Sequence, residues 1–290
     1  MSRKLALLGT GLIGAPAARR LAARGFDVTV WNRTAAAATP LGNAGIGVAE
    51  TPAGAVAGAE VVLLTLLDET AVAEVVERLL PALAPSTLVI DFATTSVAGA
   101  ERFEAEVLAA GSRAAVAPFF GSVPEVERGG LYAVYGGAEE DEAELRGLLG
   151  QLCSGLHHAG SPGAAAALKL ALNVLVFPMV QLIGESLALA RAQGVDPERV
   201  LEILAEGTGV RAPIYSGRGR LMLDGDFAPR ATVQLAAKDL ALIAAAAAEH
   251  GLELPLAERT RERFDAAAAA GHAHEDMAAV AKLLGEPLRA

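Results

Sequence analysis

Lysine is scarce in this chain: Lys4, Lys169, Lys238 and Lys282 stand against twenty arginines. A sequence that writes its generic positive charges as arginine keeps lysine for work arginine cannot do. A desolvated lysine can give up its proton, whereas a guanidinium stays charged inside a protein. Lys169 lies in the apolar run Ala164 to Asn173, among small residues that allow close approach. Asn173 stands four residues on, so a helix would put both on one face. A lysine and a carboxamide so placed can hold a substrate hydroxyl or carbonyl and move a proton to or from its oxygen. The same spacing also fits a lysine that snorkels from a half-buried helix, with Asn173 meeting backbone or water. Lys238 is followed by Asp239. Adjacent helical residues do not share a face, so no local ion pair is expected, and Lys238 reads equally as structural or functional. His157 and His158 fall on a strand, where neighbours point to opposite faces, and His272 and His274 lack a companion ligand. No metal site is expected from these residues.

The second constellation binds rather than reacts. Lys4 to Leu8 is an apolar run of strand length, followed by Gly9-Thr10-Gly11-Leu12-Ile13-Gly14 and a helical pattern from Ala15 to Arg24. Gly9 permits the tight turn, Gly11 lets backbone approach a pyrophosphate, and Gly14 lets helix pack on strand. The anion would rest on the unpaired N–H groups of the helix N-terminus, flanked by Leu12 and Ile13. A second strand, Phe26 to Trp31, ends in Asn32-Arg33-Thr34. NAD sites carry a carboxylate at this strand end. Here it is replaced by Asn32 with Arg33 and Thr34 behind it, which suits the 2′-phosphate of NADP.

The elements that must position these groups follow from hydrophobic period. Strands are expected at Glu60–Leu67 and Thr87–Phe92, with shorter ones at Arg113–Pro118, Ala133–Tyr135 and Gly155–Ala159. Helices are expected at Thr70–Leu80 and Val97–Ala110. Beyond Gly160-Ser161-Pro162-Gly163 the pattern becomes helical throughout: Gly163–Gln193 with a kink at Pro178, then Glu198–Glu206, Arg230–His250, Leu254–Ala270 and Glu275–Leu284. Asp196 reads as an N-cap with Pro197 at the first helical position. The expected fold is an α/β, Rossmann-type doubly wound parallel sheet over residues 1–160. An all-α domain follows over 161–290, entered through one long interdomain helix.

Composition narrows the function classes. The chain has 290 residues, 53% of them hydrophobic, and a net charge of −10. That is enough for two cores, and the charge argues against nucleic acid or an anionic membrane surface as partner. The apolar stretch Leu170–Ala190 contains Asn173, Pro178, Gln181, Glu185 and Ser186 and reads as a buried helix, not a membrane span. Met1 to Lys4 leads straight into the first strand, and the lone Cys153 reads as a buried hydrophobe; both fit a cytoplasmic location.

Taken together, these residues resemble the β-hydroxyacid dehydrogenases, a family that includes 3-hydroxyisobutyrate dehydrogenase, tartronate semialdehyde reductase and glyoxylate/succinic semialdehyde reductases. 6-phosphogluconate dehydrogenase is a more distant relative. The resemblance spans nearly the whole chain. Gly9 to Gly14 resembles the opening fingerprint, and Trp31-Asn32-Arg33-Thr34 its NADP-preferring version. Asp91-Phe92-Ala93-Thr94 resembles the segment approaching the nicotinamide, with Thr94 on the matching threonine. The resemblance implies that Lys169 is the general acid/base and that Asn173 binds substrate. It also implies that Lys238-Asp239-Leu240 lies beside nicotinamide and substrate. One segment departs from the family. Where the family reads Asp-Ala-Pro-Val-Ser-Gly-Gly, with the serine on the substrate carboxylate, this chain reads Val116-Ala117-Pro118-Phe119-Phe120-Gly121-Ser122. Phe120 takes the serine position, and Leu172 replaces an asparagine. Ser122 is a candidate to compensate if the segment is extended, and Arg128 and Arg211 are alternative anion anchors.

The implied activity is NADPH-dependent reduction of a small carbonyl, run in reverse as oxidation of a hydroxy acid, with Lys169 moving the proton under a pKa depressed by burial. An imine reductase with an apolar pocket is the alternative, favoured by Phe120 and Leu172 and disfavoured by Lys169. A non-catalytic NADPH-binding protein is a third reading. Ala-rich faces and the long apolar helix suggest a homodimer or homotetramer.

Overall fold

The computed structural model describes residues 3–206 and 212–285. It divides into two compact units, Met1–Lys169 and Leu170–Ala290.

The first unit alternates strand and helix: β1 (Lys4–Leu8), α1 (Gly14–Ala23), β2 (Asp27–Trp31), α2 (Ala35–Gly42), β3 (Gly47–Val48), α3 (Pro52–Val56), β4 (Val61–Leu64), α4 (Glu69–Leu79), β5 (Leu88–Asp91), α5 (Val97–Ala109) and β6 (Arg113–Val116). β1, β4 and β5 are buried nearly end to end, as strands covered on both faces must be. Asp68 caps α4 by accepting from the amide of Ala71, and Ser96 caps α5 through that of Gly99. The spatial order β3-β2-β1-β4-β5-β6 is parallel throughout, the doubly wound arrangement expected.

The far edge of the sheet is not parallel. After β6 come β7 (Phe119–Phe120), α6 (Val123–Arg128), β8 (Leu131–Gly137), α7 (Glu142–Leu149) and β9 (Cys153–His158). β8 runs antiparallel to both β6 and β7, while β9 pairs with β8 in parallel. A connection as short as that between β7 and β8 can return only antiparallel. The two-residue β7 is too short to read from periodicity. Phe119 fixes it, packing edge-on against Phe92 at 5.9 Å.

The second unit is helical. Helix α8 (Pro162–Ala192) contributes its first turns to the first unit, where Ala166 joins a sheet-side core cluster, and runs unbroken through Pro178 into the second. By length and composition it is apolar enough to cross a membrane. Its residues Phe177, Val180, Ile183 and Leu187 are instead core residues of the second unit. There follow α9 (Pro197–Ala205), α10 (Pro213–Asp224), α11 (Val233–Glu249) and α12 (Pro255–Ala267), then a 3-10 segment Met277–Leu284. Asp196 caps α9 with Pro197 at its first position, as expected. Helix α10 has no counterpart among the expected elements because its glycines weaken the helical signal. Gly219 is there for packing: a Cβ would lie 2.5 Å from a methyl of Leu201 on α9. The unit is locked by Asp276, fully buried, whose carboxylate accepts from Arg218 and from the amides of Ala231 and Ala278.

Candidate active site

The glycine turn is built as a cradle. Gly9 has φ +103°, and a Cβ on it would lie 2.4 Å from the carbonyl oxygen of Thr65. Gly14 is tighter still, its Cβ position falling 1.8 Å from the oxygen of Gly9. Gly11 has nothing within 4 Å of its Cβ position, so its backbone faces open space. Thr65 holds the turn by donating its hydroxyl to the Gly9 oxygen at 2.6 Å. No side chain caps α1, whose N-terminal residue is preceded by Ile13, half-buried against the core, and by the exposed Leu12. The hydroxyl of Thr10 is buried without a hydrogen-bond partner among the described residues. An uncapped helix start, an open glycine and an orphaned hydroxyl fit a pyrophosphate group.

Asn32, Arg33 and Thr34 follow β2. Asn32 accepts the Thr10 amide on Oδ1 at 2.9 Å and donates Nδ2 to the Thr34 carbonyl. Its carboxamide therefore ties the glycine turn to the loop after β2. Arg33 is exposed and Thr34 precedes α2 as its N-cap residue. Thr94 is half-buried beyond β5, one residue before Thr95, whose buried hydroxyl has no hydrogen-bond partner among the described residues.

Lys169 is 6% exposed. Its Nζ donates to the Phe119 carbonyl at 2.6 Å and lies over the Phe120 ring, 3.5 Å from the centroid. Ser122 does not serve as a spare donor. Its amide and hydroxyl both donate to Glu125 Oε2, at 2.8 and 2.7 Å, in a capping box that starts α6. Gly121, at φ +122°, lets the chain turn into that cap with the Glu125 side chain packed against it. Arg128 donates to the other oxygen of Glu125 on an exposed face. Burial works against the Glu125 carboxylate, but the Ser122 bonds and Arg128 prevail and hold its pKa below the ordinary value. Arg211 lies outside the described residues.

In the second unit Asn173 is buried and donates Nδ2 to Asp239 Oδ2 at 2.9 Å. A carboxylate only accepts, so Asp239 fixes which end of the amide faces it. The other oxygen of Asp239 is paired with Lys238 Nζ at 2.7 Å. This corrects the expectation from helical spacing. The lysine stem is long enough to curl round to its neighbour, and burial of Asp239 rewards a countercharge. Sequence spacing did not reveal Thr10, Thr65 or Glu125. Their types were visible, but their partners lie across turns and strands.

Comparison with known proteins fits this construction. Residues 4–160 match the model for the NAD binding domain of 6-phosphogluconate dehydrogenase, and residues 163–284 that for NAD-binding of NADP-dependent 3-hydroxyisobutyrate dehydrogenase. The uncharacterized oxidoreductase YfjR of Bacillus subtilis is 29% identical, over 97% of this chain and 99% of its own. The structure of Mycobacterium tuberculosis 3-hydroxyisobutyrate dehydrogenase with L-serine is 28% identical, with a TM-score of 0.84, over 99% of this chain and 100% of that one. A reductive aminase from Aspergillus terreus, in complex with NADPH and ethyl levulinate, shares the fold at a TM-score of 0.65 and 24% identity, over 98% of this chain and 100% of that one. The chain belongs to the NAD(P)-binding β-hydroxyacid dehydrogenase family.

Proposed function

We propose that this protein is an NADP(H)-dependent oxidoreductase that interconverts a small carbonyl compound and its alcohol, with Lys169 as general acid/base. The observation that carries the reading is a buried lysine one helical turn from a buried asparagine, in a chain with four lysines against twenty arginines. Gly9, Gly11, Gly14 and the Thr10 hydroxyl would hold the pyrophosphate, and the exposed Arg33, with no carboxylate at the end of β2, would take the 2′-phosphate. When bound, the dinucleotide supplies or accepts the hydride. Lys169 Nζ delivers a proton to the substrate oxygen in reduction and removes it in oxidation. Asn173, its amide oriented by Asp239, holds that oxygen, and Lys238 pairs with the other oxygen of Asp239.

Steady-state turnover with NADPH and NADH, across small aldehyde acids, uncharged aldehydes and cyclic imines, tests the reading. Wild-type protein should prefer NADPH. Lys169→Ala should lower kcat by about 10²- to 10⁴-fold while NADPH still binds. Unchanged turnover in that variant would overturn the mechanism. Turnover confined to imines would favour an imine reductase, and no turnover beside tight NADPH binding would favour a non-catalytic binder.

A homodimer is part of the proposal. Leu175, Leu182 and Leu189 are 62%, 54% and 62% exposed and recur every seven residues along α8. That apolar stripe suits a second copy of the chain.

A further inference from the structure

We propose that the substrate of this protein carries no carboxylate at the subsite formed by residues 119–125, because Phe120 and Glu125 close that subsite to anions. The inference rests on the reading of Lys169 as the proton-transfer group and names the substrate class that goes with it: a carbonyl compound with an uncharged, apolar substituent on that side.

Four observations within the first unit carry it. First, the ring of Phe120 is 3.5 Å from the Lys169 ammonium, which is van der Waals contact, so no substrate atom fits between them. The phenyl group offers no hydrogen-bond donor, and a carboxylate desolvated against it would lose its water without replacement. Second, the adjoining side-chain donor is spent. Ser122 gives both its amide and its hydroxyl to Glu125 Oε2, and Gly121 has no side chain to add. Third, an internal carboxylate already stands there. The Glu125 carboxylate sits on the Ser122 amide and hydroxyl, so an incoming anion would have to compete with it for those donors. Fourth, the cation beside Glu125 does not redress the balance. Arg128 is committed to Glu125 Oε1 at 2.8 Å with its side chain mostly in solvent.

The segment is held in this form from both sides. Phe119 and Phe120 pair with Ala133 and Tyr132 of β8, which puts Phe120 and Tyr132 on the same face of the ribbon. Phe119 faces the other way, against Phe92 and the core. Turning the backbone to carry Phe120 to the other face would break the strand pair or pull Phe119 from its place. The strand pair therefore keeps the Phe120 side chain on the face of the ribbon that meets Lys169.

The test uses a matched pair of probes, succinic semialdehyde and its methyl ester, which share a chain and differ in charge. Wild-type protein with NADPH should show a kcat/KM for the ester at least tenfold above that for the acid, with most of the difference in KM. Phe120→Ser should narrow that ratio tenfold or more, while Phe120→Leu, which keeps the wall apolar, should leave it within about threefold of wild type. NADPH titration of each variant checks that the cradle is intact. Lys169-dependent turnover of the acid equal to or better than the ester in wild-type protein would overturn this inference and leave the lysine mechanism standing. Turnover of neither probe by wild-type protein, or turnover that survives Lys169→Ala, would overturn both. The wild-type comparison decides the matter even if a Phe120 variant does not fold.

Discussion

Two glycines of one motif should fail in different ways when each is given a methyl group. In Gly14→Ala the new Cβ would stand 1.8 Å from the Gly9 oxygen and 2.5 Å from the Thr65 hydroxyl. The optimal carbon–heavy-atom separation is roughly 3.5 Å, so α1 and the strand-end turn must part by more than roughly 1 Å. The obstacle is backbone and cannot swing aside. Overpacking costs about 1–3 kcal/mol, and a rigid neighbour places this case at the upper end. At about 2–4 °C per kcal/mol for a unit of this size, Tm should fall by roughly 6–12 °C. NADPH binding should weaken at least tenfold as the cradle opens. In Gly11→Ala the methyl meets nothing within 4 Å. Tm should stay within about 2 °C of wild type, since a substitution that touches nothing costs no more than about 0.5 kcal/mol. NADPH affinity should nevertheless fall at least tenfold, about 1.4 kcal/mol or more, because the methyl occupies the pyrophosphate's path. Differential scanning fluorimetry and NADPH fluorescence titration on the two variants make the measurement. Wild-type affinity in Gly11→Ala would refute the placing of the phosphate over that glycine. A wild-type Tm in Gly14→Ala would refute the tight helix–strand contact.

Three further perturbations probe the rest of the molecule. Asp276→Ala leaves the largely buried Arg218 without its carboxylate and two amides without an acceptor, so chemical denaturation should show a loss of about 3–5 kcal/mol; less than about 1 kcal/mol would mean the lock is dispensable. Burial pushes the Cys153 thiol up to about 12 from 9.0, so iodoacetamide at pH 8 should label it only after denaturation. The same shift has a stability sign. The unfolded thiol ionises above pH 9 while the folded one does not, so this contribution is lost as pH rises from 9 toward 12, and rapid native labelling at pH 8 would contradict the burial. Leu182→Glu places a charge in the middle of the exposed α8 stripe and should shift the light-scattering mass from that of the proposed dimer toward monomer; a mass equal to wild type would refute a dimer contact through this stripe.

The cradle and its flanks were legible in the sequence because they are local. β1, the glycine turn, α1 and β2 follow one another without interruption, and the glycines stand at fixed offsets in the turn, although Thr65, which crowds Gly9 and Gly14, comes from beyond β4. The same holds for the pairing of Asp196 with Pro197 at the start of α9, and for Lys169 and Asn173, whose common face needs only the helical repeat. The elements that escaped were short, like β7, or carried glycines for packing, like α10. The sheet's far edge was legible as strands but not as directions, because direction depends on connections and partners and not on the period of a strand.

What tertiary structure alone decided is the company each reactive group keeps. Sequence brought Lys169 forward as a proton carrier; only the fold set it against the carbonyl of Phe119 and the ring of Phe120, fifty residues away in the chain. Sequence read Ser122 as a spare hydroxyl, and the fold spent it on Glu125. Spacing separated Lys238 from Asp239, and the fold joined them once Asn173, sixty-six residues from Asp239, held that carboxylate in a buried place. Residue type and helical spacing are carried by covalent order and local sterics. The partner of a buried polar group is chosen by which strands and helices pack, and that choice belongs to the whole chain.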